Sequence, residues 1–204
     1  MGNTTEFTME ITIPKSKKAQ EKFDKIIAVA DNEFFLNGYE KTTVATIAAA
    51  ADIAVGTFYL YFKDKLSLYY YILFDYQKRI TRYIASRIKD CDNRYDKERY
   101  GLIAWLEFVN ENPHTYNIIF QSLIIDRQLF KDYYQRFATT YSRGLMFDKD
   151  EIVDEDYETL SLALMGISSF LGFKQMFEDR KLTKEEISNM ADTIMNLLKY
   201  GLFI

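Results

Sequence analysis

Only two of the 204 residues are proline, Pro14 and Pro113, and only eight are glycine. A sandwich or barrel needs turn residues every few positions, so a chain this poor in breakers folds as helices joined by short connections. The apolar pattern agrees: Phe23, Ile26, Ile27, Ala30 and Phe34 recur at steps of three and four, which is one helical stripe. With 48% hydrophobic and 27% charged residues, the chain can bury one large core or two small ones. No run of about eighteen residues is both apolar and uncharged, and the N-terminus lacks a basic segment followed by an apolar one. Neither a membrane span nor a secretory leader is expected. The single cysteine, Cys91, forms no internal disulfide, which suits a cytoplasmic protein. Together with the single histidine, His114, it cannot build a Cys/His zinc site, and neither metal nor cofactor is expected.

Residues 1–15 show no helical period and read as an arm. The first helix follows from Ser16, and Asn37-Gly38 ends it, with Gly38 suited to the left-handed conformation. Thr42-Thr43 supplies an N-cap for a second helix through Ile47 to Ala51. Asp52 to Ala54 is a turn, and Val55 to about Phe62 is a third short helix with Phe58 and Phe62 inward. Asp64 caps a long fourth helix to about residue 90. Further helices run from about 96 to 111, from 113 to 144 as two meeting near Asp126, from Tyr157 to Phe177, and from a Thr183-x-x-Glu186 capping box to the end. The expectation is an all-α fold of about nine helices. The acidic run between Asp148 and Asp156 reads as a solvated loop rather than a metal cluster, since no second carboxylate group faces it.

The segment Gly38–Leu68 carries the functional signal. Two short helices joined by a three-residue turn form a helix-turn-helix, whose second helix fits the major groove of DNA. Spacing alone leaves a plain helical corner open. The residue types favour DNA. Glycine in a short helix costs about 1 kcal/mol relative to alanine, so Gly56 calls for a reason: close approach to phosphate, or packing against the first motif helix. Thr57, Tyr59, Leu60 and Tyr61 fall on the sides away from Phe58, and the two tyrosines can donate to phosphate. Lys65 lies in the first turn of the fourth helix, where the dipole disfavours a cation unless a phosphate docks there. Net charge argues neither way, at −4 for the chain.

Gly38-Tyr39, Thr42-Thr43-Val44, Ile47-Ala48, Gly56-Thr57-Phe58-Tyr59-Leu60-Tyr61-Phe62 and Lys65 resemble the DNA-binding domain of the tetracycline-repressor (TetR) family. The match covers about residues 18–68. The resemblance implies a helix-turn-helix domain over 16–64, with Thr43, Val55, Gly56, Thr57, Tyr59, Leu60, Tyr61 and Lys65 at DNA. It also implies a helical effector-binding and dimerisation domain over 65–204, and a homodimer on a palindromic double-stranded operator. Three positions depart from the family pattern: Asp52 stands where members usually carry glycine, Ala54 where they carry the serine cap, and Val55 at a base-reading position. Val55 replaces a frequently polar base-reading residue, so Val55 and Leu60 are expected to touch thymine methyls.

Among the many aromatic residues, Trp105, Phe108, Tyr116, Phe120 and Phe170 are the candidates to line an effector cavity, and a small hydrophobic effector is expected. The helix from Tyr157 to Phe177 is apolar all round, so it should be buried on every side; small residues along it, Gly166 and Gly172 among them, would let a second backbone approach. That pattern points to a two-fold interface built with the last helix. The competing readings are an enzyme or a helical interaction protein. The enzyme lacks a nucleophile–base pair, a metal cluster and a phosphate loop.

Overall fold

The computed structural model describes residues 10–175, 177 and 180–201. Residues 1–9 of the expected arm, Met176 of the apolar helix and Leu202 of the last one lie outside them. The described residues form α1 (Lys17–Lys41), α2 (Val44–Ala50), α3 (Val55–Phe58), α4 (Lys65–Ile88), α5 (Arg94–Glu111), α6 (His114–Ile125), α7 (Arg127–Phe147), α8 (Tyr157–Gln175) and α9 (Lys184–Tyr200). A 3-10 turn, Lys149–Glu151, lies between α7 and α8. The fold is all-α, and among the described residues no helix is long and apolar enough to cross a membrane.

The helix starts are fixed by short polar side chains. Ser16 accepts the Ala19 N–H at 3.3 Å, and Thr43 and Thr46 form a capping box on α2. Asp64 and Ser67 exchange hydrogen bonds of 2.7 and 3.1 Å at the start of α4. Asn93 caps α5, Asp126 caps α7, and Thr183 with Glu186 caps α9. Each such cap contributes about 0.5–2 kcal/mol by satisfying N–H groups that the helix itself leaves open.

The chain divides into two compact units. Among the described residues, the first comprises those up to Tyr76 together with Asn117–Leu129, and the second Gln77–Tyr116 with those from Phe130 onward. In the first, the α1 stripe of Phe23, Ile26, Ala30 and Phe34 is fully covered. Phe23 stacks on Phe62 at 5.1 Å and meets Tyr71 edge-on at 5.1 Å. Ahead of α1, the Thr12 N–H donates to the Tyr61 carbonyl at 2.9 Å, Ile11 bridges Phe62 antiparallel, and Glu10 pairs with Lys63 at 3.2 Å.

In the second unit Leu102 and Leu106 of α5 pack on Ile187 and Ala191 of α9, with Trp105, Leu171 and Ile194 around them. Arg99 clasps Asp192 at 2.6 Å and Ser188 at 3.0 Å. The acidic run is not wholly solvated as expected. The Asp148 side chain is only 8% exposed and takes ion pairs from Arg94 at 3.3 Å and Lys97 at 2.8 Å, while Glu151 accepts the Arg94 N–H at 2.7 Å. α8 also departs from expectation within one chain: Leu162 is 50% and Phe170 77% exposed. A single chain covers one side of α8, the side that meets α5 and Tyr116 of α6. Nor does Gly172 admit a backbone. A Cβ there would run into the Tyr116 hydroxyl and lie 3.0 Å from its ring carbons, so glycine is required by a side chain; around Gly166 nothing lies within 4 Å.

Candidate nucleic-acid interface

The head of the molecule is built on two chain reversals. At Gly38, φ is +77° and the α1 path breaks, as the Asn37-Gly38 pair predicts. The broken ladder is repaired from a distance. Gln121 accepts the Tyr39 N–H at 2.8 Å and donates to the Phe34 carbonyl at 3.1 Å, while the buried Thr42 hydroxyl donates to the Gly38 carbonyl at 2.8 Å. The second reversal joins α2 to α3. Asp52 adopts φ +54°, the left-handed conformation that glycine would take without strain and that aspartate tolerates better than most residues. Ala54 occupies the N-cap of α3 with no side-chain hydrogen bond, the predicted consequence of lacking serine there.

α3 is shorter than the sequence predicts, ending at Phe58 rather than near Phe62. Beyond it the chain tightens through i→i+3 bonds, Leu60 N–H to Thr57 carbonyl at 3.3 Å and Tyr61 N–H to Phe58 carbonyl at 3.0 Å. The tightening changes the direction of the side chains after Phe58. Tyr61, expected on the outer side, is only 8% exposed and packs edge-on against Phe23 at 5.7 Å, so its ring belongs to the core. Val55, Gly56, Tyr59 (54% exposed) and Leu60 (65%) remain together on the outer surface, with Thr57 half-buried beside them. Nothing lies within 4 Å of a Cβ built on Gly56, which removes packing against α2 as the reason for glycine. Thr43 is exposed at the start of α2, with its hydroxyl accepting the Thr46 N–H at 3.1 Å.

Lys65 requires the main correction. Its ammonium does not stand open at the start of α4; it donates to the Tyr39 carbonyl at 2.7 Å and the Thr42 carbonyl at 2.8 Å and lies 3.9 Å from the centre of the Tyr39 ring. The carbonyl-rich end of α1 attracts the cation that the N-terminus of α4 disfavours. Burial lowers its pKa from 10.5, with Glu40 opposing. Those two bonds use two of its three donors.

Sequence reasoning missed the partners that brace this head. Tyr69, Tyr70 and Tyr71, 100° apart around α4, each find a different one: Tyr69 donates to the Ile118 carbonyl, Tyr70 donates to Asp126 at 2.7 Å, and Tyr71 meets Phe23. Burial pushes the Tyr69 hydroxyl far above its usual range, so it stays protonated. The only sequence signal was that three consecutive tyrosines cannot share one environment.

Residues 26–72 match the model of the bacterial regulatory proteins, tetR family. An uncharacterized HTH-type transcriptional regulator of Bacillus subtilis (strain 168), YdgC, is 24% identical over 192 residues, 91% of this chain and 94% of that one. The matched segment, which contains α2 and α3, is a tetR-type regulatory domain. Solved structures share the chain's fold. The fatty acid degradation regulator FadR from Bacillus halodurans aligns with a TM-score of 0.74 at 20% identity, over 93% of this chain and 98% of its own. The transcriptional regulator FadR from Bacillus subtilis, solved in complex with stearoyl-CoA, aligns at 0.70 and 18% identity, over 89% of this chain and 100% of its own. The protein is a DNA-binding transcriptional regulator of the helix-turn-helix type.

The effector candidates separate. Trp105 and Tyr116 come together: the Trp105 indole donates to the Ser168 carbonyl at 2.9 Å and the Tyr116 hydroxyl at 3.2 Å, and Tyr116 donates to the Ser169 carbonyl at 2.8 Å. Phe108 is buried apart from them, against Tyr83 at 6.0 Å and under the Arg79 guanidinium. Phe120 belongs to the first unit. Phe170 points out of the unit and lines no interior cavity, because its position on α8 is opposite the face that carries Gly172. The aromatic cluster instead recruits α7. Trp105 meets Phe137 at 6.5 Å, Phe137 meets Tyr133 at 5.2 Å, and Tyr116 meets Phe173 at 6.2 Å. An open groove of about 280 Å³ lies between α4 and α7, lined by Gln77, Lys78, Thr81 and Arg82 on one side and Arg136, Phe137 and Thr140 on the other.

Proposed function

We propose that the protein is a ligand-responsive repressor that binds a palindromic operator as a two-fold homodimer in the cytoplasm and releases it when an apolar effector occupies the second unit. The observation that carries the DNA-binding part is the outward cluster of Val55, Gly56, Tyr59 and Leu60 on a motif whose first helix is capped by Thr43 and whose second has no side-chain cap at its start. Tyr59 supplies a hydroxyl for phosphate, Val55 and Leu60 supply apolar contacts for thymine methyls, and Gly56 allows close backbone approach. The apolar outer side of α8, with Leu162 and Phe170, supplies a self-complementary face for the dimer.

Two recognition helices must stand one helical turn apart, about 34–36 Å, to read one operator. α4 belongs to both compact units, its residues up to Tyr76 to the first and the remainder to the second. A ligand in the second unit that prefers a different course of α4 opposes the operator-binding spacing. The stearoyl-CoA held by the Bacillus subtilis FadR structure and the aromatic cluster around Trp105 favour a fatty-acyl effector.

The test is to recover genomic DNA crosslinked to the protein, then to titrate the recovered site with and without ligands found by thermal shift. A coupling of about 1–3 kcal/mol lowers DNA affinity roughly 5–150-fold, and DNA lowers ligand affinity equally. Ligands that bind the second unit and leave DNA affinity unchanged would exclude the one-component sensor.

A further inference from the structure

The groove between α4 and α7 does not have the lining an apolar effector alone would call for. Of its seven lining residues three are cationic, Lys78, Arg82 and Arg136, and none is acidic, in a chain of net charge −4. Lys78 and Arg82 sit at i and i+4 on α4, so they project over the same groove, and among the described residues neither has an ion-pair partner. Two such cations one turn apart on α4, with Arg136 on the α7 side of the groove, favour an anion there, and arginine adds paired donors suited to carboxylate or phosphate.

The inner wall is of another kind. Phe137 lines the groove and is also one ring of the aromatic cluster, touching both Tyr133 and Trp105. Gln77, on the facing side, donates to the Tyr133 carbonyl at 2.9 Å. The Tyr133 side chain is buried, and its hydroxyl has no hydrogen-bond partner among the described residues. Most buried polar groups are bonded, so this hydroxyl, behind Phe137, is open to a further partner. The groove holds about 280 Å³, below the roughly 300–1,000 Å³ of a site that encloses a whole drug-sized ligand. It is the size of a head group.

We infer that the α4/α7 groove takes the anionic head of an amphiphilic effector, held by Lys78, Arg82 and Arg136, whose apolar chain displaces Phe137 and enters the aromatic cluster. The inference rests on the ligand-responsive reading above and narrows it from an apolar effector to an anionic amphiphile. A carboxylate and a phosphate satisfy the same cations, so a free fatty acid and an acyl thioester carrying phosphates are the two sources to separate.

Trp105 is the sole tryptophan and belongs to the cluster, so its fluorescence reports arrival of the chain. The probes are a saturated long-chain fatty acid, its coenzyme A thioester and its uncharged methyl ester, titrated into the full-length protein below their micellar concentrations. At least one anionic probe is expected to perturb Trp105 with about tenfold or greater preference over the ester, weakening as salt rises. The ratio between acid and thioester identifies which anion the groove takes. The double variant Lys78→Gln/Arg82→Gln changes only exposed side chains. It should lose about tenfold in affinity for the preferred anion, keep its affinity for the ester, and keep its thermal midpoint. Equal binding of ester and anions, unchanged anion binding by the double variant, or no binding of any probe overturns the inference. So does loss of operator affinity in the double variant without ligand, which would make the groove a DNA contact. Anions that bind as described without releasing DNA leave the site standing and defeat the repressor reading instead. Operator release by an uncharged ligand that the double variant still binds does the reverse.

Discussion

Two parts of this chain expose large apolar side chains, and they do so in different settings. On α3 and just beyond it, Tyr59 and Leu60 follow a helix start with no side-chain cap, a hydroxyl at Thr57 and a glycine at Gly56; along α8, Leu162 and Phe170 stand among alanine, leucine and other small or apolar neighbours. The first setting mixes apolar area with donors, as a surface that must read base edges and phosphates requires. The second has little polar content and suits a surface that meets its own copy. Exposure of an apolar residue therefore says little until its neighbours are counted.

The largest effect should come from separating the two surfaces. Phe170→Glu places a charge on the apolar face of α8, where a dimer would bury it unpaired at a cost of about 3–5 kcal/mol. Sedimentation should shift from twice the mass of one chain to one chain, with helicity and thermal midpoint of the isolated chain retained. A variant that stays dimeric places the interface elsewhere.

The next prediction contrasts how the two units are held. The second relies on the cluster of Arg94, Lys97, Glu98 and Asp148. Burial tends to raise the Asp148 pKa, but hydrogen bonds from Lys97 and Arg94 outweigh it and hold the carboxyl below 3.8. A carboxyl depressed on folding stabilises above its unfolded pKa, and that contribution disappears as pH falls through the folded value. Asp148→Asn should cost about 2–3 kcal/mol at neutral pH and flatten the acid limb of the stability profile followed by denaturant melts. An acid limb as steep as wild type would assign that slope to other carboxylates.

Lys65→Ala tests a side chain with two claims on it. Loss of its bonds to the Tyr39 and Thr42 carbonyls should cost about 1–2 kcal/mol of stability. If its remaining donor also reaches phosphate, affinity for every DNA sequence should fall and the salt slope should flatten by about one. A stability loss with an unchanged slope would make Lys65 a strut alone. The smallest effects lie at the turn. Asp52→Gly should relieve up to about 1 kcal/mol of left-handed strain, and Ala54→Ser should add about 0.5–1 kcal/mol by capping α3, both read as melting shifts.

Much of the fold was legible because helix ends are written in local chemistry. Ser16, Thr43, Asp64, Asp126 and Thr183 each cap the helix that the sequence predicts there, and Gly38 breaks α1 where Asn37-Gly38 says it should. The features that stayed hidden depend on direction or distance. Tyr61 turns inward because the chain tightens after Phe58, a detail that spacing on a regular helix cannot supply. Gln121 repairs a break 82 positions away, and nothing near residue 121 announces it. Lys65 was placed by the dipole of its own helix, whereas the carbonyls at the end of α1 decide where its ammonium goes. Composition groups Phe170 with the interior aromatics, although on α8 it lies away from Gly172 and Tyr116.

On the proposed function, the outward surface of α3 and the two residues after it reads DNA. The most direct measurement is a titration of the genomic site recovered by crosslinking, comparing wild type with Tyr59→Ala/Leu60→Ala. Both side chains are exposed, so the double variant should keep its thermal midpoint and its dimer while losing specific affinity by about a hundredfold or more, with weak salt-dependent binding to unrelated DNA retained. Specific affinity equal to wild type, or a wild-type protein that selects no site over unrelated DNA, would contradict it.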